Sequence, residues 1–120
     1  MKIINIDTTK ISDRQSFHAY FKETFRFPDF YGNNMDAWID CMTYLDEPNS
    51  GMTSKVFVEK NNAVVLNLLH VANFIERVPM LYNGLIECSA FVNYRRIEIG
   101  DSPIIFLSFF KNETDSYKPD

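Results

Sequence analysis

The chain has only two cysteines and two histidines in 120 residues, and that scarcity removes several function classes. Cys41 and Cys88 form no Cys-x-x-Cys pair, and His18 and His70 are too far apart in sequence to supply a zinc-ligand spacing. Both cysteines fall within expected helices, which predicts reduced, partly buried thiols rather than a disulfide. Neither metal nor cofactor is expected. Positive charge is also in deficit: twelve Lys and Arg against sixteen Asp and Glu leave a formal charge of -4. Such a balance repels a phosphate backbone, so nucleic acid is not an expected direct ligand. No run approaches the roughly 20 apolar residues of a membrane span. Residues 1–9 alternate apolar and polar side chains and offer no continuous apolar segment of a secretory signal, so the expected location is the cytoplasm. Repeats and linkers are lacking too, which predicts one domain over residues 1–120.

What is present is apolar and aromatic. Hydrophobic residues make up 46% and aromatics 15%, with eleven phenylalanines, a composition that excludes disorder and supports a packed core. Residues 2–6 read as a short strand. Ser12 with Gln15 three positions on resembles a capping box, opening a helix whose buried side carries Phe17, Tyr20, Phe21 and Phe25. His18 lies beside that stripe. Residues 55–59 alternate like a strand, Asn61 and Asn62 suit a tight turn, and residues 64–69 form a second apolar strand, together predicting a hairpin. Pro79 starts a long helix ending near Arg96, and residues 104–110 form a last strand before a polar tail. Mostly apolar strands joined by helix-containing crossovers imply a parallel sheet, because parallel neighbours need long connections. The expectation is a small α/β layer of three main strands, with or without an added hairpin strand, and three to four helices.

The most informative segment lies between these elements. Pro28 and Gly32 bracket an aromatic loop at residues 26–33, and a helix follows over residues 34–45 with Met35, Trp38, Ile39, Met42 and Leu45 on one stripe. Its other side carries Asp36, Asp40, Thr43 and Tyr44. Carboxylates at i and i+4 repel each other by a few tenths of a kcal/mol, so helix stability gives no reason to pair them. Asp36 also suits the first turn as an anion at the positive end of the dipole, with Asn33 or Asn34 as cap. Asp40 is mid-helix, where the plain alternative is a solvated carboxylate.

Phe27, Pro28, Asp29, Phe30, Tyr31, Gly32, Asn34, Asp36, Ala37, Asp40, Cys41 and Thr43 together resemble the central segment of the barstar family, intracellular inhibitors of secreted ribonucleases. The likeness is densest over residues 25–45. The run Cys88, Ala90, Phe91, Val92, Asn93, Arg95, Arg96, Glu98 and Gly100 resembles the closing helix of a barstar-like subgroup. The resemblance implies a loop and helix inserted into a nuclease active site, with Asp40 as the main acidic contact and Asp36 as the second. Phe30, Tyr31, Gly32, Asn34, Thr43 and Tyr44 complete the implied contact set. Phe30 takes a position where the family usually has tyrosine, so the ring is kept without its hydroxyl. Gly32 is expected to supply a backbone conformation that other residues disfavour. Arg95 and Arg96 fall where the family adds an acidic contact, and that contact is not carried over.

Three functions compete at this stage. In the first, carboxylates replace the anionic oxygens of RNA in the cationic cleft of a secreted or toxin-type ribonuclease, held by a monomeric inhibitor in a one-to-one complex. A second makes Asp36, Asp40 and a histidine the acid, base or metal ligands of an enzyme, with fewer ligands than metal hydrolases gather. The third is an interaction module that regulates an endogenous partner.

Overall fold

A computed structural model of the chain describes residues 1–109. Strand β1 (Lys2–Asp7) runs through a 3-10 turn at Thr8–Lys10 into α1 (Arg14–Phe25), and α2 (Met35–Thr43) follows after the aromatic loop. A second 3-10 turn at Pro48–Ser50 precedes β2 (Val64–Leu69), α3 (Val71–Arg77), α4 (Pro79–Glu98) and β3 (Ile105–Ser108). The sheet is parallel throughout in the order β1-β2-β3, with Ile4 opposite Leu66 and Leu66 opposite Leu107. Parallel neighbours require crossovers, and here the first is built from α1 and α2 and the second from α3 and α4.

The central strand explains why the expected hairpin is absent. Both edges of β2 are taken, by β1 on one side and β3 on the other, so residues 55–59 find no free edge on β2 to pair with. Their backbone bonds go elsewhere: Lys55 N donates to Phe25 O at 3.3 Å and Val58 N to Leu45 O at 2.9 Å. The alternation seen in sequence is real in burial, with Val56 and Val58 facing the core, but it describes an extended loop.

Val64, Leu66 and Leu68 on β2, with Ile6 and Ile105 beside them, form the floor of the core. Above it stand Phe17, Phe21 and Phe25 of α1 and Trp38 of α2, all buried, with Phe21 edge-on to Trp38 at 5.6 Å between ring centroids. The cap of α1 is shifted by one residue from the expected Ser12 and Gln15. Asp13 is the N-cap, accepting from Ser16 N at 2.8 Å, while Ser16 Oγ accepts from Asp13 N at 3.0 Å. Serine in this third position closes the box as well as the longer Gln15 side chain was expected to. Helix α2 stops at Thr43, shorter than the expected residues 34–45, and Asn34 serves as its cap. Helix α3 carries no separate expectation from the sequence, being too short to show a full stripe. Phe110 and the polar tail of the sequence reading lie outside the described residues.

Candidate partner-binding site

The loop before α2 is built by two left-handed residues, Arg26 at φ 58° and Asn33 at φ 54°, rather than by Gly32, whose φ is not positive. What glycine supplies at 32 is close approach. An added Cβ there would stand 3.2 Å from Asn34 Nδ2, against the side chain that caps the helix. Asn34 Oδ1 accepts from Ala37 N at 2.8 Å, and its Nδ2 donates to Gly32 O at 3.3 Å, so one side chain ties the loop to the first turn. Tyr31 N donates to Pro28 O at 2.9 Å and closes the turn that carries Phe30.

This geometry divides the expected contact residues. Phe30 is 78% exposed at the loop tip, and Gly32, Asn34, Asp36, Asp40 and Tyr44 also face solvent. The side chains of Tyr31 and Thr43, two further residues of that expected set, turn inward. Tyr31 is buried between Phe27 and His18, and its hydroxyl shares a hydrogen bond with His18 Nδ1. Burial, with Cys41 nearby, raises the Tyr31 hydroxyl well above its ordinary range, and burial with Arg14 nearby lowers His18, so both stay neutral near pH 7. This pair fixes the loop from beneath. Thr43 Oγ1 donates to Ile39 O at 2.6 Å, satisfying a buried hydroxyl within its own helix.

Asp40 has a partner the sequence reading did not foresee. Arg95 Nη1 of α4 lies 3.2 Å from Asp40 Oδ1, and the Arg95 guanidinium stands 6.0 Å from the centre of the Phe91 ring. The next residue, Arg96, is buried. Its Nη2 lies 2.8 Å from Asp46 Oδ2, its Nη1 donates to Thr43 O at 2.8 Å, and its Nε donates to Ser102 O at 2.7 Å. The C-terminal end of α2 is thereby clamped to α4. In sequence the two arginines stand together in the last turn of the long helix, where any cation suits the negative end of the dipole. The sole available signal was that consecutive helical residues point about 100° apart, so both could not share one environment.

Burial pushes the Cys41 thiol up to about 11, with Asp40 adding to the shift, so it carries no thiolate near pH 7. His18 is occupied by Tyr31, and among the described residues no three His, Cys, Asp or Glu side chains are placed to hold a metal ion. Among the same residues, no helix is long and apolar enough to cross a membrane.

The order β1-β2-β3, with both crossovers helical, defines a small parallel α/β protein that leaves Asp36 and Asp40 of α2 exposed. Residues 1–95 match the family described as Barstar (barnase inhibitor), and the chain belongs to that family. It is also similar to a Bacillus subtilis (strain 168) protein named "Putative ribonuclease inhibitor YrdF", with 39% identity over 49 residues, 40% of this chain and 54% of that relative. The match thus spans about half the length of the relative.

Proposed function

We propose that the chain inhibits a ribonuclease by presenting the outer face of α2 and the tip of the preceding loop to the enzyme's cationic active site. The observation that carries this reading is the placement of Asp36 and Asp40, exposed one turn apart on a helix whose cap is shared with the loop bearing the exposed Phe30. A ribonuclease holds phosphate with arginine, lysine and histidine, and a carboxylate pair held rigidly in that cleft takes the place of phosphate oxygens. Phe30 adds a ring for stacking. Family membership and the name of the similar Bacillus subtilis protein support the same partner class. The reading includes a one-to-one complex, a monomer when free, and action in the cytoplasm.

Titration against barnase and against other secreted ribonucleases, scored by loss of RNA cleavage, tests it. Asp40→Ala is expected to weaken inhibition by about 2 kcal/mol or more, a size known for interfaces of this family, whereas Asp29→Ala at the rim costs well under 1 kcal/mol. Equal losses would contradict the proposed register. The rival reading, a module for an endogenous partner, draws on the exposed row Phe91, Tyr94 and Ile97 on α4. Binding through that row would depend weakly on salt, and binding through the carboxylates steeply.

A further inference from the structure

We propose that Arg95 is a specificity-determining residue of this surface: it competes with any partner for the Asp40 carboxylate, so the site favours partners able to displace it. The proposal rests on the reading of α2 as the partner-binding helix. On that helix the carboxylate expected to matter most is already paired within the chain, at 3.2 Å. A purely acidic ridge would leave it free.

The pair is placed to open. Arg95 and Asp40 side chains are 38% and 55% exposed, so separating them disturbs no packed core. Phe91, itself 47% exposed, holds the guanidinium against its ring, which keeps the charge at this spot without burying it. An alternative seat for Arg95 adjoins it. A cleft of about 300 Å³ between the C-terminal ends of α2 and α4 is lined by Arg95 together with Tyr44, Glu47, Glu98 and Asp101. When a partner's guanidinium or ammonium takes Asp40, Arg95 turns toward this cleft and stays among carboxylates. The exchange substitutes one cation for another at Asp40, so the gain from the partner's cation is reduced by the pair that is lost. Such an exposed pair is worth roughly two- to five-fold in an equilibrium constant. Among the described residues Asp36 has no such internal cation, so the two carboxylates of the ridge are unequal: one is open to any cation, the other only to a well-aligned one.

The test uses barnase as the probe and the full chain throughout. Dissociation constants are measured for the wild type, Arg95→Ala, Lys10→Ala, Asp40→Ala and the Asp40→Ala/Arg95→Ala double variant, each at low and raised salt. Arg95→Ala is expected to tighten binding two- to five-fold, at both salts, and to change nothing in the Asp40→Ala background. Lys10→Ala, in the 3-10 turn after β1, makes the same change in net charge without touching the Asp40 pair, so any smaller gain it shows measures long-range attraction and should fade with salt. An Arg95→Ala variant that binds barnase as well as the wild type or more weakly, while Asp40→Ala still weakens binding, overturns the proposal and leaves the inhibitor reading standing. If neither barnase nor any other secreted ribonuclease of the titration above is bound, or Asp40→Ala has no effect on the one that is, the inhibitor reading itself falls, and the proposal with it; a ribonuclease other than barnase that binds takes its place as the probe.

Discussion

Arg95 and Arg96 are consecutive residues of one helix, both reach an aspartate at or just beyond α2, and they do opposite things. The Arg95–Asp40 pair is open to water, while Arg96 and Asp46 are 2% and 0% exposed and meet through two hydrogen bonds, at 2.8 and 3.1 Å. The hundred-degree step between helical neighbours puts one guanidinium on the rim and the next inside. A charge inside needs partners at each of its nitrogens, and Arg96 has them, with Thr43 O and Ser102 O beside the Asp46 carboxylate. A charge on the rim needs no such set and is free to exchange. The same residue types therefore build a fixed joint in one place and an exchangeable contact in the other.

The largest expected effect that would sharpen this contrast is Arg96→Ala. Removing one partner strands Asp46 and leaves the Thr43 carbonyl without its donor, so stability should fall by about 3–5 kcal/mol in a denaturant titration. A change below about 1 kcal/mol would mean that the two arginines do not differ in kind. Next comes acid. Burial pushes the Asp46 carboxyl up, but the hydrogen bonds and charge of Arg96, with Lys60 at 3.6 Å, outweigh it and the net shift is downward. A carboxyl lowered in the fold contributes stability above its ordinary value of 3.8 and loses it as pH falls through the folded value. Denaturant midpoints followed from about pH 5 to about pH 2 should therefore drop less steeply for Asp46→Asn than for the wild type. An identical slope would remove Asp46 from the acid response. The smallest effect belongs to Arg95→Ala, whose stability should stay within about 0.5 kcal/mol of the wild type by the same titration. A loss approaching that of Arg96→Ala would erase the distinction between joint and contact.

Much of this architecture was readable from the chain because periodicity reports burial directly. Met35, Trp38, Ile39 and Met42 recur at helical spacing, and all lie wholly or partly within the core. The three apolar strands and the need for crossovers led to a parallel sheet, and the sheet is parallel. Residues 55–59 misled because alternation records which side chains face inward and says nothing of hydrogen-bond partners, which β1 and β3 had already claimed along β2. The inward turn of Tyr31 and Thr43 was likewise not legible in the motif. A motif marks positions that matter to a surface, and a residue can matter by holding the surface from below, as Tyr31 does through His18. The two arginine pairs were beyond reach of local pattern. Each joins residues at least 50 positions apart, and only the packing of α4 on α2 brings them together.

Trp38, the only tryptophan in the chain, sits fully buried on the underside of the acidic helix, 5.6 Å from Phe21 and 6.4 Å from Phe17 between ring centroids. Its indole N–H meets no acceptor among the described residues, and the chromophore is shielded from water against two phenyl rings. The ultraviolet emission of the folded protein should accordingly lie to the blue, and it should shift red when α2 lifts from α1. A ligand captured on the outer side of the same helix would leave that colour nearly unchanged. One intrinsic fluorophore thus separates loss of the scaffold from loss of the docking event, without any added label.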